Sequence, residues 1–538
     1  MTTITIPSIH YLAILPILIF TGAALALLIS TALVRGRLPR VAGTWVTVAA
    51  SVAALVAVGF QWRNVLVDGP STTIANSIVL DGFAVVATGI IAVSMGLTAL
   101  VADGWLEDAG YTGVDLHILA LSSAAGAMMM AAANDLVIIF LGLEILSIAL
   151  YVLAAFDRRS ERSGEAALKY FLLGGFASAI FVYGIALTYG ATGTTQLTQI
   201  SDFLAQNLLK SDGLLLAGAA LLLVGFAFKV AAVPFHAWSP DVYEGSPTPV
   251  TGFMAAVVKV GAFAAVLRVF SSALFTQQTA WRPIVFALAV LSLLAGAGLA
   301  VVQRNIKRML AYSSISHAGF ILMGLWAASP RGSSASLYYL MVYSLMVIGT
   351  FAIVTVVSAN GREDISDYRG LGRRRPALAA ALTVLLLAQA GTPFTTGFLA
   401  KLSVLEATIQ AQGPAADTLA VIAMIATAIG VYFYLRVVVL CYSGEAEDDG
   451  DEPAPSVPVA RLSAVGAGIA VDDDRDGASA DRSTEPAETD EVGPDQTLRV
   501  PVLTSIAIFL CVAPTIVFGV WPSPLADLAQ HASMLFHP

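Results

Sequence analysis

The chain has 538 residues, 57% of them hydrophobic and only 12% charged, with a formal net charge of −9. Soluble domains carry about 25% charged residues, so this composition excludes an ordinary water-soluble globule. Two cysteines, Cys441 and Cys511, exclude a disulfide framework, and no Gly-rich phosphate loop, cysteine cluster or HExxH motif is present.

Apolar runs long enough to cross a bilayer, about 18 residues or more, recur along almost the whole length. They do not alternate as the strands of a membrane barrel would. The expected fold is therefore all-α and polytopic. Fourteen spans are predicted, near 9–34, 41–60, 81–101, 114–133, 135–155, 166–190, 213–235, 248–271, 282–302, 308–328, 335–359, 377–410, 415–441 and 499–522. The first, Ile9 to Val34, is too long for the apolar core of a secretory signal.

Charges in the connecting loops orient these spans. One alternate set of loops carries Arg35, Arg37, Arg40, Arg158, Arg159, Arg162, Arg304, Lys307, Arg308, Arg362, Arg369, Arg373, Arg374 and Arg375. The other set carries only Arg63, Lys210, Arg282 and Arg331. The positive-inside rule makes the first set cytoplasmic and puts both termini outside.

Ionisable residues inside the spans come next, in chain order. Glu144 follows Asp135 by nine residues, roughly 14 Å of helix, which puts it near mid-bilayer. Lys169 lies four residues after Glu165, so an i,i+4 pair or snorkelling explains it as well as a buried function does. Lys229, Lys259 and Lys401 lie far from any loop, and each is expensive in hydrocarbon unless paired, hydrated or neutral. A Glu144–Lys229 ion pair is the obvious remedy.

Two spans are interrupted beside these lysines, at Lys229-Val230-Ala231-Ala232-Val233-Pro234 and at Gly391-Thr392-Pro393 through Lys401. Proline removes a backbone donor, and freed carbonyls survive at membrane depth only where protein or a wet cavity satisfies them. Paired interruptions of this kind point to an ion pathway. His317, among Ser313, Ser314 and Ser316, reads equally as a proton relay and as a satisfied core histidine. His236 reads as a proton-uptake point or a structural hydrogen bond. Arg268 and Arg436, near span ends, read as interfacial.

Residues 443–498 differ in composition. They hold sixteen acids against three arginines, a net of −13, so the remaining +4 brings the chain to −9. This stretch reads as a solvated, disordered cytoplasmic insert.

The segment Pro234-Phe235-His236-Ala237-Trp238-Ser239-Pro240-Asp241-Val242-Tyr243-Glu244-Gly245-Ser246-Pro247-Thr248-Pro249-Val250 resembles the hallmark of the antiporter-like subunits of respiratory complex I. So do Asn305-Ile306-Lys307-Arg308-Met309-Leu310-Ala311-Tyr312-Ser313-Ser314-Ile315-Ser316-His317 and the interrupted segment ending at Lys401. Glu363-Asp364-Ile365-Ser366-Asp367-Tyr368-Arg369-Gly370-Leu371 looks most like the subunit N branch of bacterial NADH-quinone oxidoreductase. Subunit L extends into a long lateral helix, and subunit M usually has glutamate where this chain has Lys401.

The resemblance implies two inverted five-helix repeats, at 114–271 and 272–442, preceded by three spans at 1–113. The insert at 443–498 and a last span with its tail at 499–538 follow. It implies proton translocation through Glu144, Lys229, Lys259 and Lys401, with His317 and Lys169 as further candidates. It also implies a bacterial inner or plasma membrane location. The neighbours implied are subunits M, K and J, the lateral helix of subunit L, and lipid, with no nucleic acid. NADH, FMN, iron–sulfur clusters and quinone are expected in partner subunits, and no metal or redox centre is expected in this chain. The alternatives are a subunit of a multi-subunit cation/proton antiporter and an inert spacer in a membrane arm. A spacer has no reason to bear the cost of the interior charges.

Overall fold

The computed structural model describes residues 9–34, 38–207, 213–444 and 499–534. Arg35, Arg37, Lys210 and nearly all of the acidic insert lie outside the described residues.

Two helices, α1 (Tyr11–Leu33) and α2 (Arg40–Asp68), pack together and lead into a short antiparallel hairpin. Its strands, β1 (Ser71–Thr73) and β2 (Ile78–Leu80), pair Ser71 with Leu80 and Thr73 with Ile78. Asp81 then starts α3 (Gly82–Asp108) by accepting the Ala84 N–H at 2.8 Å, as an N-cap carboxylate does.

The next helices are α4 (Asp115–Ala132), α5 (Leu136–Ala154), α6 (Glu161–Thr192) and the short amphipathic α7 (Leu197–Gln206). After them come α8 (Gly213–Lys229) and α9 (Trp238–Gly245), separated by an irregular stretch containing a cis Val233–Pro234 bond. One further crossing is built from α10 (Thr248–Phe253), a π-helical turn at Met254–Val258 and α11 (Lys259–Arg268).

The second half repeats this plan with α12 (Gln278–Val301), α13 (Ile306–Trp326), α14 (Pro330–Val357) and the single turn α15 (Leu371–Arg374). The interrupted pair α16 (Pro376–Ala390) and α17 (Thr396–Gln410) and then α18 (Pro414–Tyr442) complete it. The chain closes with α19 (Val502–Val520) and α20 (Ser523–Met534). Among the described residues, twelve helical stretches are long and apolar enough to cross a membrane, and α8 and α16 are shorter apolar helices. The fourteen predicted spans correspond to these one for one. The hairpin, α7, α9 and α20 were not predicted, because each is too short to leave a span-length apolar run.

Neighbour relations recur between the halves. α4 packs on α5 and α11, as α12 packs on α13 and α18. α6 packs on α8 and α9, as α14 packs on α16 and α17. Glycine makes the closest approaches possible: a Cβ on Gly126 of α4 would sit 2.6 Å from the Gly142 carbonyl of α5. Small residues let membrane helices meet backbone to backbone in this way. Burial grades inward. The crossing from Thr248 to Ala273 is buried all round and α13 and α14 nearly so, whereas α1, α6 and α19 expose most of one face. A helix that is apolar on every side belongs in the interior. Leu25, Ile29, Phe176, Tyr183 and Phe509 are exposed on the outer helices, the pattern of a lipid-facing wall.

Arg268 corrects an expectation. It is 1% exposed rather than interfacial. Its guanidinium grips Asp81 through both terminal nitrogens, at 2.8 and 3.0 Å, and also donates to the Ala131 carbonyl. Its position near a helix end suggested the membrane surface, but the end of α11 is wedged between the start of α3 and the end of α4. The bidentate pair therefore ties the first three crossings to the first repeat. Breaking a buried pair by removing one partner costs about 3–5 kcal/mol, because the other charge is stranded. Arg268→Ala and Asp81→Ala should each lower the thermal unfolding midpoint of the detergent-solubilised protein sharply. Arg268→Met with Asp81→Leu should lower it less than either single change.

Candidate functional site

Lys229 is the last residue of α8, where the helix stops. It is 5% exposed. Its Nζ donates to Ser147 Oγ at 2.7 Å and to the Tyr170 hydroxyl at 3.0 Å, and lies 5.2 Å from the Tyr170 ring centre. Tyr170 stacks on Trp238 with ring centres 4.5 Å apart. Trp238 Nε1 in turn donates at 2.9 Å to the Phe228 carbonyl, and Val233 N–H donates to Ser292 Oγ. The backbone of the interruption is thus held by side chains from two neighbouring helices, α9 and α12, as backbone at membrane depth requires.

Glu144 lies on α5 one turn before Ser147, partly exposed, and accepts a 2.5 Å hydrogen bond from Ser178. It makes no direct ion pair with Lys229, contrary to the simplest expectation; Ser147 receives the ammonium instead. Ser178 and Lys229 both line a small cavity of about 10 Å³, which is at the lower limit for one water molecule.

Lys259 follows the π-helical turn directly and is 4% exposed. Its Nζ donates to the Ser314 carbonyl at 2.6 Å, contacts Ser314 Oγ, and lies 5.4 Å from the Tyr343 ring centre. Turns of this kind cluster at functional positions. Lys401, on α17, donates at 2.9 Å to the Ala390 carbonyl that the second interruption frees, and sits 5.0 Å over the Phe320 ring. Among the described residues, no carboxylate touches Lys229, Lys259 or Lys401.

His317 has both ring nitrogens engaged, Nδ1 with the Tyr339 hydroxyl at 2.7 Å and Nε2 with the Tyr434 hydroxyl at 3.1 Å. Tyr434 also contacts Ser313 Oγ and reaches Gln389 at 3.5 Å. Gln389 Nε2 donates to Thr350 at 2.7 Å. The histidine is therefore satisfied and, through the same contacts, continuous with a chain of hydroxyls. Helix α13 is the common rail. Ser314, His317 and Phe320 follow at steps of three residues, about 4.5 Å each, and meet Lys259, the two tyrosines and Lys401 in turn.

Lys169 stands apart from this interior. It is ion-paired to Glu165 and Asp241, both at 2.8 Å, and its side chain is 42% exposed. Asp241 is shared with Arg308 at 2.7 Å, and Arg308 also binds Glu244 at 2.9 Å. His236 is half-buried, and its Nδ1 has no protein partner. Arg436 donates to the Val301 and Gln303 carbonyls at a helix end.

Sequence reasoning missed Ser147, Tyr170, Tyr339, Tyr434 and Gln389, and named Ser314 only as a neighbour of His317 and not as the partner of Lys259. Ser147 carried a usable signal, since it lies one helical turn from Glu144. The tyrosines carried none, because an aromatic residue in an apolar run reads as packing.

A family described as "NADH:quinone oxidoreductase/Mrp antiporter, TM" matches residues 133–430, the stretch that holds all six candidate residues. NADH-quinone oxidoreductase subunit N of Mycobacterium tuberculosis is 43% identical over 436 residues, covering 80% of this chain and 73% of that one. The chain belongs to the NADH-quinone oxidoreductase subunit N family. A chain in the solved structure of respiratory complex I from Thermus thermophilus superposes with a TM-score of 0.74 at 28% identity, covering 96% of this chain and 99% of its own. A chain of the Mrp complex from a Dietzia species superposes at 0.79 with 20% identity, covering 97% and 96%. At that identity the likeness is one of fold alone.

Two consequences of the geometry can be measured. Burial alone would raise the Asp241 carboxyl, but Lys169 and Arg308 hold it below the ordinary carboxylate range. A group depressed in this way stabilises the folded chain above its unfolded pKa, and that contribution is lost as pH falls through the folded value. Thermal midpoints should therefore fall as pH drops below the ordinary carboxylate range, and Asp241→Asn should remove that step. Separately, Gly391 has φ +86°, and a Cβ there would lie 2.9 Å from Lys401 Cδ. Gly391→Ala should cost about 1–2 kcal/mol from backbone conformation alone and lower the unfolding midpoint accordingly.

Proposed function

We propose that this chain is a membrane-arm subunit of an NADH-quinone oxidoreductase that moves protons across the membrane while other subunits oxidise NADH and reduce quinone. One observation carries the reading: interior lysines on interrupted or bulged helices are ligated by hydroxyls and carbonyls rather than by carboxylates. Such an amine can gain or lose a proton without tearing apart a buried ion pair. An inert spacer would have no use for it.

Lys229 is the switching carrier in this scheme. Glu144, reached through Ser147, Ser178 and the small cavity, favours its charged form when close and releases it when the two separate. Lys259 links the halves, His317 and its tyrosines extend the path, and Lys401 passes the proton onward. Lys169 serves at the charged rim with Asp241. Five crossings per repeat would make the two repeats inverted, with the arginine-rich loops and the acidic insert on the cytoplasmic side and both termini outside. Subunits M, K and J and the lateral helix of subunit L are the proposed neighbours. FMN, iron–sulfur clusters and the quinone site belong to partner subunits. The cation/proton antiporter alternative shares the fold but lacks the support that a 43%-identical relative lends to the oxidoreductase reading.

The test is Lys229→Ala in the assembled complex. NADH oxidation with an uncoupler present should persist, and the ratio of protons moved to electrons transferred should fall. An unchanged ratio in a fully assembled variant would remove Lys229 from the pathway.

A further inference from the structure

A polar pocket of about 340 Å³ opens where the ends of α3, α9 and α14 meet the starts of α6, α10 and α13. It lies outside the chain of lysines described above. Four carboxylates line it, Asp108, Asp157, Glu244 and Glu363, together with Arg162 and Lys307. These come from four helices, α3, α6, α9 and α13, and from two loops, which carry Asp157 and Glu363.

The floor of the pocket is a built feature. Lys307 is 3% exposed. Its Nζ holds Glu363 Oε1 at 2.7 Å and the Ser246 carbonyl at 3.3 Å. Glu363 is further approached by Arg162 at 3.8 Å and by Asn305 Nδ2 at 3.3 Å. The hydroxyl of Ser246, which lines the pocket, is buried at 1% exposure and has no protein partner. Buried polar atoms of that kind are normally satisfied by ordered water. Lys307 and Ser314 lie seven residues apart on α13, on one face and roughly 10 Å apart, with Leu310 and Ala311 between them on that face. Ser314 is the residue that holds Lys259. One helix face thus runs from the pocket floor to the buried amine.

We propose that this pocket is the proton intake of the chain, with Glu363 as the carboxylate that loads protons and Lys307 as the plug that keeps the floor closed. The proposal rests on the proton-translocating reading above and adds the site where protons enter it. A hydronium ion in the pocket gives its proton to Glu363, leaving a neutral acid and water. Lys307 then loses its counter-charge and relaxes its hold on the floor. The proton passes through water held by Ser246 to the amine of Lys259, which becomes an ammonium while Glu363 returns to a carboxylate; Lys259 then exchanges that proton with the Lys229 carrier. Asp108, Asp157 and Glu244 keep the mouth attractive to cations, and Arg162 limits how far Glu363 can swing.

The experiment uses the whole complex in sealed membrane vesicles. Glu363→Gln should lower the proton-to-electron ratio to the level of Lys229→Ala, and Glu363→Asp should restore it. Ser246→Cys should be labelled by a membrane-impermeant cationic thiol reagent from the arginine-rich side only, and faster when combined with Glu363→Gln. Cys441 and Cys511 are both buried, so background labelling should be slow. Normal pumping in Glu363→Gln alongside impaired pumping in Lys229→Ala would overturn the intake while leaving the functional reading standing. Normal pumping in both would overturn that reading itself. If Glu363→Gln does not assemble, the labelling decides: no reaction at Ser246→Cys from that side, or equal reaction from both sides, overturns the proposal. Protection by a neighbouring subunit that covers the pocket would count the same way.

Discussion

An ammonium in a membrane interior must be solvated by the protein itself, and most of this structure follows from how that is done. A carboxylate partner would stabilise the charge and fix it in place. Here the partners are Ser147, Tyr170, Ser314 and the Ala390 carbonyl. Neutral ligands of this kind accept hydrogen bonds from the charged amine yet remain acceptable neighbours of the neutral one. The Ala390 carbonyl is open to Lys401 because its helix stops there, and Lys259 reaches the Ser314 carbonyl of the unbroken α13 from just after a π-helical turn in its own crossing. The Phe228 and Ala390 carbonyls, freed by the two breaks, are taken up by Trp238 and Lys401 respectively.

That arrangement needs a rigid frame, because a hydrogen bond misplaced by an ångström loses much of its strength. The frame is supplied by crossings that are buried on every side and by contacts too close for a side chain. The glycines of α4 and α5 bring backbones together. The Arg268–Asp81 pair locks the start of α3 onto the end of α11. A fully charged, bidentate pair in this place contrasts with the neutral ligands of the lysines.

The charged rim behaves differently again. Asp241, Lys169, Arg308 and Glu244 form a partly exposed network over the first interruption. Screening keeps each contact modest. Through Glu244 it adjoins the pocket lined by Lys307 and Glu363.

Sequence alone determined a good deal. Hydrophobic run length counted the crossings, since a bilayer demands a fixed length of apolar helix. The high cost of burying charge marked Glu144, Lys229, Lys259 and Lys401; Pro234 marked the first break, and Gly391 with Pro393 the second. Tertiary structure alone decided what touches those residues. Ser147 rather than Glu144 receives Lys229, because the lysine caps a helix end that faces the next turn of α5. Arg268 turned inward because Asp81, 187 residues away, happens to cap a neighbouring helix. The His317 network draws its tyrosines from α14 and α18, and no local pattern signals a contact whose partners lie so far apart along the chain. Spacing within one helix is written in the order of residues; the meeting of different helices is set by packing, and only folding reveals it.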